Sequence, residues 1–113
     1  MRSSELLKKY DIKLKKSLGQ NLLLDPNINR KMADIAEVSA GDSIFEVGGG
    51  IGDLTSVLAE RAKEVFAIEI DRTFEAPLHE QFGLNPKVKI FFGDILNHSV
   101  KELVDDYLSD AKN

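Results

Sequence analysis

The feature that most restricts this chain is the bend Gly48-Gly49-Gly50-Ile51-Gly52, which directly follows the strand-like run Ser43–Val47 and directly precedes a helical stripe of Leu54, Val57 and Leu58. Strand, glycine turn and helix in that order form the opening unit of a parallel α/β fold. The rest of the chain continues the alternation. Val65 to Ile70 is an almost continuous apolar run, as expected of a strand buried on both faces. A helix from about Thr73 to Phe82 follows, with Pro77 tolerable only in or near its first turn. Val88 to Phe92 reads as a third strand, and Ser99 to Glu102 has capping-box spacing ahead of Leu103, Val104, Tyr107 and Leu108. The order βαβαβα implies an open parallel sheet with flanking helices, whose right-handed crossovers bring the C-terminal strand ends to one edge.

Ahead of this unit the pattern is different. Ser3 to Tyr10 suits a short helix, and a Lys-rich stretch then leads to the polar break Gly19-Gln20-Asn21. Asp25 suits an N-cap and Pro26 a first helical position, with Ile28, Met32, Ile35 and Ala36 marking one buried face. Residues 1–24 are thus expected to form a basic arm and residues 25–113 the α/β body. The span Met1–Lys31 holds eight Lys/Arg against three Asp/Glu, and the remainder seven against sixteen, so an overall −4 hides an arm of +5. Two readings fit that arm: a solvated helix face or tail, or a surface for nucleic-acid phosphates.

Composition removes whole classes. With 113 residues there is room for one domain or part of one, and 42% hydrophobic residues beside 30% charged exclude general disorder. No apolar run approaches the roughly 18 residues of a membrane span, and charges occupy the N-terminus where a signal peptide needs apolar residues. The absence of cysteine excludes disulfides, thiolate metal sites and cysteine nucleophiles, and fits a reducing, cytoplasmic address. His79 and His98 stand without a second histidine or clustered acids at metal-ligand spacing, so no metal site is expected.

The polar turns Gly48–Gly52, Glu69–Asp71 and Gly93–Asp94 each follow a strand and should converge on one site. Glycine at 48, 50 and 52 permits positive φ and close approach of a ligand to the backbone. Glu69, 21 residues after Gly48, lies at the offset from which a carboxylate accepts hydrogen bonds from ribose hydroxyls. Asp94 suits an exocyclic amine, and the apolar Ile70 and Ile95 suit the two faces of a purine. A dinucleotide is the competing ligand, but its fingerprint requires glycine where this chain has Asp53. Glu46, just before the turn, would repel a diphosphate and attract a cationic amino-acid end, although it could equally cap N–H groups of the turn. S-adenosyl-L-methionine, a nucleoside with a sulfonium, an α-amino group and no phosphate, matches the acids at 46, 69 and 94. Asp53 and Thr55 read as an ordinary first-turn acid and a satisfied helix hydroxyl.

The blocks Lys16-Ser17-Leu18-Gly19-Gln20-Asn21-Leu22-Leu23-Leu24-Asp25, Phe45-Glu46-Val47-Gly48-Gly49-Gly50-Ile51-Gly52-Asp53-Leu54-Thr55, Ala67-Ile68-Glu69-Ile70-Asp71 and Gly93-Asp94 closely resemble the ribosomal RNA adenine N6,N6-dimethyltransferases. That family includes the bacterial small-subunit dimethyladenosine transferases and the erythromycin-resistance methylases. The similarity runs from about Leu14 to Leu96. The departures are mild: Leu22 stands where an aromatic is usual and Gly49 where proline is common. The resemblance implies the N-terminal half of a Rossmann-like S-adenosylmethionine-dependent methyltransferase fold. It implies that Gln20, Asn21 and Leu22 help close the cofactor pocket, that Gly48 and Gly50 line it, that Glu69 binds ribose and that Asp94 and the Ile95 N–H meet adenine. It further implies an adenine of ribosomal RNA in the small subunit as substrate, and Lys13, Lys15 and Lys16 as RNA contacts.

The family's target-base motif, Asn or Asp followed by Leu-Pro-Tyr or Leu-Pro-Phe after a fourth strand, does not occur in these residues. The expectation is therefore that this chain alone transfers no methyl group but retains some cofactor binding. With no fourth strand, Ser43–Val47 should lie at an open sheet edge and promote self-association.

Overall fold

The computed structural model describes residues 3–13 and 26–108. Three parallel strands, β1 (Ser43–Val47), β2 (Glu64–Glu69) and β3 (Val88–Phe92), form a sheet in the order β1-β2-β3. Ser43 to Val47 pair in step with Glu64 to Ile68, and Val65 to Glu69 with Val88 to Phe92. The helices are α1 (Ser3–Lys9), α2 (Pro26–Ile35), α3 (Asp53–Arg61), α4 (Glu75–Phe82) and α5 (Val100–Tyr107). The alternating α/β architecture expected from the sequence is the one observed.

Every residue of β2 is buried, because side chains of a central strand meet a helical layer on each face. On one face Val65 joins Leu58, Phe74, Leu78 and Phe82 of α3 and the α4 region. On the other, Phe66 and Ile68 pack with Leu103 and Leu108. Phe66 anchors this second layer: its ring meets Phe45 edge-on at 5.3 Å and stacks on Tyr107 at 4.5 Å. The adjacent Phe91 and Phe92 are half-buried and point into opposite layers, as alternation along a strand requires.

Local chemistry sets the ends of the elements. Ser99 Oγ accepts the Glu102 N–H at 3.3 Å and starts α5. The segment expected as one helix from Thr73 divides: Asp71 caps a 3₁₀ turn over Arg72–Phe74, and α4 then begins at Glu75. Pro77 is therefore the third residue of α4, where a missing N–H costs no intrahelical bond.

The N-terminal helix is docked rather than loose. Leu6 is buried in the first layer, and the Lys9 ammonium and the Tyr10 hydroxyl both donate to Glu80 of α4, the latter at 3.0 Å. The hydrogen bond from Lys9 holds the Glu80 carboxyl below its usual range. Of the lysines expected to meet RNA, Lys13 is exposed. Lys15 and Lys16 lie outside the described residues, as do Gln20, Asn21 and Leu22.

One expectation is overturned. Ile28, Met32, Ile35 and Ala36 do not form the buried face of α2: Met32 is 43% and Ile35 74% exposed, and Ile28 and Ala36 are exposed as well. The buried positions are Asn29 and Ala33, one helical turn apart. The small Ala33 side chain lets α2 approach closely, while Asp34 pairs with Arg61 of α3. Packing thus uses a face rotated by one residue, roughly 100°, from the apolar stripe. The sheet ends at β1, and among the described residues no element covers that stripe.

Candidate ligand site at the strand ends

The three strand-end turns meet, and Glu69 joins them. Its Oε1 accepts the Gly50 N–H at 2.6 Å, its Oε2 accepts the Asp71 N–H at 2.8 Å, and its main-chain carbonyl accepts the Gly93 N–H at 2.9 Å. A fourth bond, from Gly48 N–H to the Ile68 carbonyl at 2.8 Å, ties the glycine turn to β2. The convergence expected from strand order is thus built from backbone hydrogen bonds around one buried acid, 4% exposed.

Gly48 and Gly52 show why this turn is made of glycine. Gly48 has φ +82° and open space where a side chain would project, so a ligand can lie against its backbone. Gly52 has φ +95° and the opposite surroundings: an added Cβ would stand 2.6 Å from the Phe82 ring. The first is open toward a ligand, and the second is closed by packing. Gly50, at φ +56°, presents its N–H to Glu69 between them.

Asp94 follows Gly93 at the tip of β3, where Oδ1 caps the 3₁₀ turn Ile95–Asn97 by accepting the Leu96 N–H at 2.9 Å. Glu69 and Asp94 are therefore brought to adjacent strand ends through the Glu69–Gly93 bond. Ile70 is exposed beside them, and Ile95 is half-buried against the second layer.

Glu46 lies deeper. It pairs in register with Ala67, so it shares a sheet face with Glu69, two residues farther along β2. It is 7% exposed, and its Oε1 accepts the Thr55 hydroxyl from the first turn of α3. Burial pushes the Glu46 carboxyl up to about 7, with Glu69 adding to the rise and the Thr55 bond opposing it. The sequence left Glu46 open between a cation and a backbone cap; the bond observed is to the Thr55 hydroxyl. Thr55 is satisfied, as expected, but by a carboxyl of β1 rather than by its own helix. A sequence signal existed: Thr55 lies three residues before Leu58 on the inward stripe, directly after a turn that folds α3 back over the last inward residue of β1.

The strand ends thus offer an open glycine backbone at Gly48, acids at 69 and 94 and the apolar Ile70 and Ile95, with Glu46 buried beneath the turn. Each Glu69 oxygen already holds one N–H, and a carboxylate oxygen accepts two. Among the described residues no three His, Cys, Asp or Glu are placed to hold a metal, and no helix is long and apolar enough to cross a membrane. His98 instead lies edge-on to Phe91 at 5.0 Å.

The family model described as ribosomal RNA adenine dimethylase matches residues 11–113. The ribosomal RNA small subunit methyltransferase A of Alkaliphilus oremlandii is 45% identical over 105 residues, 93% of this chain and 37% of that protein. Its counterpart in Bacillus pumilus is 41% identical over 112 residues, 99% of this chain and 38% of that protein. The chain therefore spans under two fifths of the length of these curated relatives. Among solved structures, the 23S rRNA methyltransferase ErmE matches with a TM-score of 0.59 and 31% identity over 66% of this chain and 31% of its own. A dimethyladenosine transferase from Plasmodium falciparum matches with a TM-score of 0.60 and 26% identity, over 66% of this chain and 28% of its own.

Proposed function

The chain belongs to the ribosomal RNA adenine dimethylase family, and from that premise we propose that its strand-end site is the S-adenosyl-L-methionine portion of an enzyme that dimethylates N6 of adenine in small-subunit ribosomal RNA. The observation that carries this reading is the Glu69 junction, which ties the glycine turn, the end of β2 and the end of β3 together by hydrogen bonds. Bound there, S-adenosylmethionine supplies an electrophilic sulfonium methyl for in-line attack by the target amine.

The chain's own residues bind and orient. Gly48 and Gly50 let the ligand lie on the backbone, Glu69 accepts the ribose hydroxyls, and Asp94 and the Ile95 N–H meet adenine between Ile70 and Ile95. Glu46 balances the cationic end, and Gln20, Asn21 and Leu22 close the pocket. Lys13, Lys15 and Lys16 face RNA phosphates in the small ribosomal subunit, in the cytoplasm. The target base is unstacked to reach the methyl group, and the family tetrapeptide that would receive it does not occur in residues 1–113. Transfer by this chain alone is therefore expected to be absent, and cofactor binding weak.

Calorimetry tests the reading: adenosylhomocysteine should bind and a nicotinamide dinucleotide should not. Binding of the dinucleotide alone would overturn it in favour of an oxidoreductase fragment. The alternative reading is a cofactor- or RNA-binding module without the chemistry; methyl transfer to small-subunit RNA by this chain would exclude it. Among the described residues the β1 edge is unpaired and the α2 stripe uncovered, which supports self-association as part of this proposal.

A further inference from the structure

Two carboxyl groups share one face of adjacent parallel strands beneath the glycine turn, and they are supported unequally. Glu69 has an N–H on each oxygen, from Gly50 and Asp71. Glu46 has the Thr55 hydroxyl on Oε1. The described groups that act on Glu46 are this hydroxyl on α3 and the Glu69 carboxyl on β2, and neither is a cation. A second negative charge in this space has little to answer it, because a buried ion needs a partner of opposite sign.

We infer that Glu46 holds a proton beside Glu69 in the ligand-free protein and releases it to solvent when a cationic ligand enters, so that cofactor binding is linked to proton release. This rests on the proposed adenosyl site and adds its regulation. The O–H bond of the Glu46 carboxyl breaks, the proton passes to water, and the carboxylate left behind faces the ligand's positive charge. The titration of Glu46 toward neutral pH places this exchange in the range where cells operate. Thr55 is a positioning residue here, since its hydroxyl favours the ionised form of Glu46 and fixes one oxygen.

The test is calorimetry of the whole chain in phosphate and in Tris buffers at pH 6, 7 and 8, with adenosylmethionine, adenosylhomocysteine and adenosine. The first two carry an α-ammonium, only the first carries a sulfonium, and the third carries neither charge. Binding of the charged ligands should release roughly half a proton at pH 7 and nearly one at pH 6, and should be about tenfold weaker at pH 6 than at pH 8. Adenosine should release none. Release with adenosylmethionine alone would assign the sulfonium as the charge sensed, and release with both would assign the ammonium; each supports the linkage. Any proton taken up by the ligand's own amine has the opposite sign and persists in Glu46→Gln, whereas the release is lost. Binding whose heat is independent of buffer overturns the inference and leaves the adenosyl site standing. Absence of binding by all three overturns the site itself. In either case, carboxyl ¹³C resonances of the ligand-free chain report Glu46 directly, and titration in the ordinary carboxylate range overturns the proton.

Discussion

The Glu69 carboxylate accepts the Gly50 N–H at 2.6 Å, so the acid at the end of β2 and the apex of the turn after β1 form one unit. Replacing Glu69 by Ala strands this N–H and that of Asp71, at a cost of about 1–3 kcal/mol for each that stays buried. Glu69→Gln keeps one acceptor oxygen and should lose less. Denaturant melts should rank the parent above Gln and Gln above Ala, while calorimetry should show both variants at least about tenfold weaker for adenosylhomocysteine. Unchanged affinity in the Gln variant would remove Glu69 from the ribose site.

Gly48 and Gly52 make a matched pair. Gly48→Ala meets open space and carries only the left-handed backbone penalty, roughly 1–2 kcal/mol. Gly52→Ala adds a collision with Phe82 and a tight approach to Leu78, for a total of roughly 2–5 kcal/mol. Ligand affinity should follow the opposite order once folding is accounted for, with Gly48→Ala losing more because its new methyl projects where the ligand lies. Chemical denaturation and calorimetry on the same two variants check both orders.

Glu46 gives the fold a specific pH dependence. Its folded value of about 7 exceeds the ordinary 4.5, so between these limits the folded chain binds more protons than the unfolded one. Its contribution is complete below about pH 4.5 and is lost as pH rises toward 7. Glu46→Gln can keep an acceptor for Thr55 without a charge. Relative to the parent it should gain stability with rising pH, by up to about 3 kcal/mol at pH 8. Thr55→Val removes the bond that favours the ionised form and should move the Glu46 titration higher. Parallel melts of parent and Glu46→Gln at pH 5 and pH 8 that differ by the same amount would exclude a buried, titrating Glu46.

How much of this was legible in the sequence depended on whether a pattern names its own partner. β1 and β3 have the expected limits because a strand between polar turns has few places to begin. β2 was recognisable as central because an unbroken apolar run has no solvent face, and its limits shift by one residue at each end, to Glu64–Glu69: Glu64 adds a rung with Ser43, and the exposed Ile70 falls beyond the last rung, Glu69 with Phe92. The strand-end acids followed from topology alone. The face of α2 did not: Ile28, Met32 and Ile35 establish that the helix has an apolar side, but which side meets α3 was decided by the fit of Ala33 and Asn29. For the Glu46–Thr55 bond the sequence placed Thr55 on the inward stripe but did not name its partner, which depends on how α3 lies over the sheet.

The N-terminal helix should contribute through its one buried anchor rather than its charges. Leu6 is 1% exposed within the first core layer, and Leu6→Ala should cost about 2–5 kcal/mol. Lys9→Ala removes an ion pair whose lysine side chain is half exposed, and should leave the melt nearly unchanged because water already screens that pair. A loss with Lys9→Ala equal to that with Leu6→Ala would mean that the Glu80 contacts, not packing, hold α1 to α4.

The uncovered side of α2 leads to the last prediction. Ile28, Met32 and Ile35 are all exposed, and the sheet stops at β1 with one row of backbone groups unpaired among the described residues. Apolar stripes and open edges both lower their free energy by meeting another surface, and in a solution of these residues a second copy offers one. Light scattering should therefore show a mass that rises with concentration. The double substitution Met32→Lys, Ile35→Lys should reduce that rise without loosening the core, because neither side chain belongs to either core layer. If the parent is a monomer at every concentration, the stripe and the edge do not drive association. If the parent associates and the lysine variant does so equally, the β1 edge acts without α2, and a charged residue at the exposed Val47 becomes the next substitution to measure.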